Sequence, residues 1–167
     1  PMPKPPERIA VVGGGARSPR GDDADSTWAA VCARQSGIQA IQEPWAEDLN
    51  VRIAGRVAET AFAELEPLLR RRADRCAQLA LLAARQAWAM AEHNRRGLDP
   101  TRIAVVLGTG IGGLATMHEQ HSQLSAGGPS RVNPLTVPML IPDAAAGQVA
   151  IDLGLQGGAH TPVSACA

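Results

Sequence analysis

Three sets of residues could do chemistry by their type and spacing: a cysteine at 166, glycines at 108, 110 and 113, and histidines at 118 and 121. A cysteine attacks a carbonyl carbon as its thiolate. At neutral pH that anion needs a stabiliser, such as the unsatisfied N–H groups and positive dipole end of a helix N-terminus. Cys166 closes "HTPVSAC", a short strand pattern running into a turn, where a following helix would serve that purpose. The same residues also describe a buried, unreactive cysteine at a strand end, and this stretch alone leaves both readings open. Cys32 and Cys76 fall on the apolar stripes of helical patterns and read as small core hydrophobes. Three widely spaced cysteines without C-x-x-C fit a reducing compartment better than a disulfide framework.

Gly108, Gly110 and Gly113 form G-x-G-x-x-G after a strand pattern and before a helical one, the context that cradles a dinucleotide pyrophosphate. The stretch that should carry a ribose-binding acid, "GGPSRVNPLTVP", has none, so these glycines read better as a turn bringing backbone close to something else. Gly13 to Gly15 read as a tight turn, since Ser18 stands where a third fingerprint glycine would fall. His118 and His121 are three apart, "HEQH" is not H-E-x-x-H, and spacing supplies no third ligand, so they read as solvated histidines. Arg70 to Arg72 with Arg75 make a basic run near a helix start, a solvated, subunit-facing or anion-binding surface.

The elements that must position these groups alternate. "RIAVVGGG" (8–15) reads as a buried strand stopped by glycines, and "DADSTWAAVCARQSG" (23–37) as a helix capped by Ser26 or Thr27, with Trp28, Val31 and Cys32 on its apolar face and Gly37 as its stop. Residues 38–67 form a loop-rich excursion with one possible strand at "VRIAGRVAE". The clearest helix is 73–97, where Cys76, Leu79, Ala80, Ala83, Ala87 and Met90 make one stripe and Leu81 and Trp88 a second face. "TRIAVVLGTGIGG" is a strand ending in glycines, "LATMHEQHSQL" a helix and "SAGGPS" a turn. "PDAAAGQVAIDLGLQGG" is a small-residue helix closed by Gly154, and "AHTPVSA" a last short strand. Strands alternating with helices imply an α/β fold with a covered parallel or mixed sheet.

At 167 residues and 45% hydrophobic content the chain fits one domain, residues 1–167. Sixteen basic and sixteen acidic side chains cancel, and one Phe, three Trp and no Tyr offer neither a cationic footprint nor a stacking platform for nucleic acid. No run approaches the roughly 18 apolar residues of a membrane span, and the start shows no apolar leader, so a cytoplasmic location is expected.

The motifs form one ordered set. "STWAAVCARQSGI", "RRADRCAQLALLAARQAW", "VVLGTGIGGL", "GGPSRVNPLTVPMLIPDAAAGQVAIDLGLQG" and "TPVSACA" together resemble the first half of the β-ketoacyl-acyl carrier protein synthases, the type II condensing enzymes of the thiolase-like fold. The resemblance runs over nearly the whole chain. Arg17 departs from it, standing where relatives carry a small or apolar residue, as does Asp143, which replaces an Asn common in the family.

The resemblance implies a layered fold with a mixed five-stranded sheet covered by helices, the N-terminal half only. It makes Cys166 the residue that carries the acyl group as a thioester. It sets Gly110, Ile111, Thr136 and Met139 beside the acyl pocket, with Thr136 in place of an aromatic found in several relatives and hence a roomier channel. The implied reaction condenses that acyl group with malonyl-acyl carrier protein, losing carbon dioxide, to give 3-oxoacyl-acyl carrier protein. It needs no metal and no nucleotide. Implied partners are acyl carrier protein, a second ketosynthase-like subunit in a homodimer or heterodimer, and the C-terminal half, which in the family supplies two histidines, a lysine and part of the oxyanion hole. His93, His118, His121 and His160 match none of these, so the segment by itself is expected to be inactive. A polyketide ketosynthase fits the same residues; a non-catalytic chain-length subunit fits less well, because such subunits lack the cysteine.

Overall fold

The computed structural model describes residues 8–165. Its centre is helix α3 (Arg75–Met90), where Ala77, Leu81 and Leu82 are buried. Helix α7 (Ala144–Leu153) packs along it through Ala145, Ala146 and Val149. Small side chains meet between the two helices, with Ala77 of α3 packed beside Ala145 of α7. Phe62 and Leu65 close the core from the 59–64 turn and its C-cap. Burying each of Phe62, Leu65, Leu81 and Leu82 contributes about 1.5–3 kcal/mol. At the rim Arg85 of α3 grips Asp152 of α7 through two hydrogen bonds, of 2.8 and 2.6 Å. Helix α7 stops at Gly154, whose φ of 68° is the left-handed conformation glycine adopts without strain.

The remaining helices are α1 (Ala24–Cys32), α2 (Pro67–Arg72), α4 (Glu92–Arg95), α5 (Leu114–Gly127) and α6 (Thr136–Leu140). Strand β1 (Ile38–Ala40) pairs antiparallel with β2 (Ile53–Gly55), and β3 (Val105–Val106) pairs parallel with β4 (Ala159–His160). A further parallel bridge joins Thr109 to Val163, extending the second pair toward the chain's cysteine-bearing end.

The α/β expectation holds, but among the described residues the strands form two two-stranded sheets and not one five-stranded sheet. The stretch 8–15 has the composition of a buried strand, yet it pairs with no strand among the described residues and Ile9 and Val11 are exposed; only its end is tied to α3, the Gly14 amide donating to Met90 Sδ at 3.3 Å and the neighbouring Ala16 amide to Gln86 Oε1 at 3.1 Å. Helix α1 also differs from expectation. Its N-cap is Asp23, in a reciprocal box with Ser26, and it ends at Cys32, before Gly37. Trp28, Val31 and Cys32 are exposed, and Ala30 is the buried residue of α1, so the apolar stripe of that helix lies at the surface. On α3 the deepest face is that of Ala77, Leu81 and Leu82, whereas Cys76, Leu79, Ala80 and Ala83 line a cavity and Met90 is exposed.

Candidate active site

The loop from Thr109 to Gly113 follows β3 and is held from two sides. The Thr109 amide donates to the Pro162 carbonyl at 3.2 Å, and the Gly112 amide to Thr109 Oγ1 at 3.1 Å. The Gly113 amide then reaches the Leu140 carbonyl at 2.9 Å, tying the loop to the end of α6. Glycine is required at 113 because a methyl there would stand 2.5 Å from the Met139 carbonyl oxygen and 2.6 Å from Leu140 Cα. The backbone that comes close to Gly112 and Gly113 is therefore the chain's own 139–142 segment.

Asp74 fixes the same loop from below. It is buried and serves two helices at once: one carboxylate oxygen accepts the Cys76 amide at the start of α3, at 2.9 Å. The other accepts the amide and hydroxyl of Thr116 in the first turn of α5, at 2.8 and 2.7 Å. Burial alone would raise the Asp74 carboxyl, but hydrogen bonds from Cys76 and Thr116 outweigh it and hold the group below the ordinary aspartate range. The Cys76 thiol is pushed up to about 11, first by burial and then by the neighbouring Asp74 charge, so it stays protonated at neutral pH.

Of the residues expected at an acyl site, Gly110 lies against the turn at the end of the strand that leads to Cys166: the position of a Gly110 methyl is 3.9 Å from Ala165 Cα. Ala165 itself has φ 45°, a conformation non-glycine residues seldom hold. Ile111 is 59% exposed. Thr136 opens α6 and donates its hydroxyl to the Asn133 carbonyl at 2.5 Å, and Met139 meets the loop through its backbone at Gly113. Cys166 lies outside the described residues. His118 and His121 are exposed on α5, and among the described residues no group of three or more His, Cys, Asp or Glu could hold a metal ion. No described helix is long and apolar enough to cross a membrane. Asp74 and Thr116 escaped the sequence reading. An Asp immediately before a helical pattern signals a cap, but nothing local ties it to a threonine 42 positions on.

Comparison with known proteins meets this geometry. The sequence signature described as "Beta-ketoacyl synthase, N-terminal domain" matches residues 6–167. The chain is 40% identical over 162 residues to 3-oxoacyl-[acyl-carrier-protein] synthase 2 of Staphylococcus aureus (strain N315), covering 96% of this chain and 39% of that protein. It thus spans about two fifths of the length of the curated relatives it matches. Among solved structures, the ishigamide ketosynthase/chain length factor superposes with a TM-score of 0.76 at 24% identity, over 92% of this chain and 39% of the other. A type II polyketide ketosynthase in complex with its acyl-carrier protein, bound to the hexaketide, gives 0.74 at 20% identity, over 96% and 42%. These likenesses establish a thiolase-like ketosynthase fold, and the chain belongs to the β-ketoacyl synthase family, over its N-terminal domain.

Proposed function

We propose that residues 1–167 are the N-terminal half of a ketosynthase domain that elongates fatty acid or polyketide chains. In that reading Cys166 attacks the thioester carbonyl of an acyl-acyl carrier protein, and the carrier's thiol leaves with the proton. Malonyl-acyl carrier protein then loses carbon dioxide, and its carbanion attacks the Cys166 thioester. A carbon–carbon bond forms, the carbon–sulfur bond breaks, and the cysteine thiolate is released with 3-oxoacyl-acyl carrier protein as product. The proton-handling groups and the rest of the oxyanion hole come from the remainder of the synthase. The whole reaction takes place in the cytoplasm, without metal or nucleotide.

The observation that carries the reading is the closeness of Gly110 to Ala165, whose Cα lies 3.9 Å from where a Gly110 methyl would stand. It sets the glycine loop beside the residue that immediately precedes Cys166, where Ile111, Thr136 and Met139 would line the acyl chain. Two exposed surfaces fit the partners. Leu114 and Met117 of α5 and Val137 of α6, all close to half exposed or more, offer an apolar face to a second ketosynthase-like subunit, in a homodimer or heterodimer. The exposed arginines 70–72 offer a basic surface to a carrier protein of opposite charge. The presence of Cys166 favours a catalytic subunit over a chain-length partner. The test is to incubate the complete synthase with acyl-carrier protein thioester and malonyl-carrier protein. Release of carbon dioxide in step with a 3-oxoacyl product is expected, and loading without condensation under any acyl chain would overturn the proposal.

A further inference from the structure

The loop at residues 109–113 is fastened at its ends and not at its apex. Gly110 and Ile111 make no backbone hydrogen bond among the described residues. Anchoring falls to the amides of Thr109, Gly112 and Gly113, which donate to the Pro162 carbonyl, Thr109 Oγ1 and the Leu140 carbonyl. Thr109 therefore takes part in two of the three bonds. Ile111 is 59% exposed, so packing within the described residues does not fix its side chain, and its position follows the backbone that carries it.

The two ends of the loop belong to different parts of the molecule. At its start, Thr109 bridges in parallel to Val163, on the strand that leads to Cys166. At its end, Gly112 has φ 94°, and a methyl there would stand 2.8 Å from Pro142 Cα and 2.9 Å from the Leu140 carbonyl oxygen, so this side is packed against the 139–142 segment. The Thr109 hydroxyl joins the two ends. It is half-buried and accepts the Gly112 amide, three residues on, at 3.1 Å, the pattern by which a threonine oxygen closes the approach to a helix. Helix α5 begins at Leu114, and its N-cap Gly113 has no side chain to offer, so Thr109 supplies the closing oxygen from further back.

We propose that Thr109 is a positioning residue: its hydroxyl, by holding the Gly112 amide, sets where Ile111 stands relative to the cysteine strand, and so sets the length of acyl chain the enzyme accepts. The inference rests on the ketosynthase reading for placing Ile111 beside the acyl chain. Valine at this position keeps the branched shape and offers no oxygen, whereas serine keeps the oxygen and loses the methyl. The two substitutions therefore separate the hydrogen bond from the shape.

The experiment compares the complete synthase with its Thr109→Val, Thr109→Ala and Thr109→Ser variants on acyl-carrier thioesters of graded length with malonyl-carrier protein. Hydrogen–deuterium exchange at the Gly112 amide is read on the same samples. In Thr109→Val and Thr109→Ala the Gly112 amide should exchange about 10-fold faster, the effect of losing one hydrogen bond. Discrimination between the longest chain accepted and the next longer one, as a ratio of kcat/KM, should fall by about 5-fold in both. Thr109→Ser should keep the parent's exchange and the parent's discrimination. Parental discrimination in Thr109→Val and Thr109→Ala would overturn the inference even where Gly112 exchanges faster, and unchanged exchange would overturn the hydrogen bond itself. A Thr109→Ser enzyme that behaves like Thr109→Val would show that the hydroxyl is not what matters. Failure of both removal variants to fold, with Thr109→Ser folded, would assign Thr109 to the fold and overturn the inference. A parent enzyme that condenses no acyl chain would overturn the ketosynthase reading, and the inference with it, before any variant is compared.

Discussion

The Asp74 carboxylate accepts both the amide and the hydroxyl of Thr116, at 2.8 and 2.7 Å, while its second oxygen holds the Cys76 amide at 2.9 Å. One buried acid therefore closes the starts of α3 and α5 and anchors the loop between β3 and α5, which carries Gly110 and Ile111. Replacing it with alanine removes two helix caps and leaves buried donors unsatisfied. Asp74→Ala should destabilise the fold by about 2–3 kcal/mol, read by chemical denaturation. Unchanged stability would mean that the three hydrogen bonds are replaced by water at no cost.

The same carboxylate has a pH signature. Its folded-state pKa is depressed, so its stabilisation is complete above the ordinary aspartate value and is lost as pH falls through the lower folded-state value. Unfolding midpoints followed downward from pH 5 should drop more steeply for the parent protein than for Asp74→Ala. Parallel curves would contradict the assignment.

Cys32 and Cys76 should separate cleanly under alkylation. Cys32 is exposed, and Cys76 is half-buried with its thiol pushed up to about 11. Peptide mapping after iodoacetamide at neutral pH should find Cys32 modified well before Cys76, with Cys76 labelling rising only as pH approaches that value. Alkylation alone therefore does not identify a nucleophile in this protein, because an exposed thiol competes for the reagent.

Two glycines of one loop should respond in opposite ways. Gly113→Ala drives a methyl into the Met139 carbonyl and Leu140 Cα, backbone atoms that cannot swing aside, and should cost about 1–3 kcal/mol or more. Gly110→Ala meets Ala165 Cα at an ordinary 3.9 Å, so stability should stay within about 0.5 kcal/mol while acyl loading slows. Equal destabilisation by the two substitutions would refute this account of the loop.

The proposed acyl channel makes a prediction of its own. In the complete synthase Ile111→Phe should shorten the longest acyl chain condensed without lowering the rate on short ones, since filling an apolar tunnel removes room and leaves the chemistry alone. An unchanged chain-length profile would place Ile111 outside the channel.

What could be read from the sequence follows from what is local. Helix α3, the small-residue helix α7 and its stop at Gly154 were legible because periodicity and a left-handed glycine are properties of neighbouring residues. Strands β3 and β4 were legible as β-branched or short apolar runs ending in turns. Residues 8–15 obey the same rule and still form no strand among the described residues, because a strand exists only with a partner and the described residues give this stretch none. Strand β1 went unseen for the complementary reason: Ile38–Ala40 is short and exposed, and its pairing with Ile53–Gly55 alone defines it. At the site, the turn-forming role of the glycines was legible. The buried Asp74–Thr116 link was not, nor was the burial of Arg17, because each depends on residues far apart in sequence.

The central claim, that Cys166 carries the acyl group, is tested most directly by the mass of each cysteine peptide after the complete synthase is incubated with acyl-acyl carrier protein alone. The account predicts the acyl mass on the peptide containing Cys166, lost on treatment with hydroxylamine and absent from Cys166→Ala, with the peptides of Cys32 and Cys76 unchanged. An acyl group on either of those two peptides, or an acyl-enzyme that persists in Cys166→Ala, would contradict it.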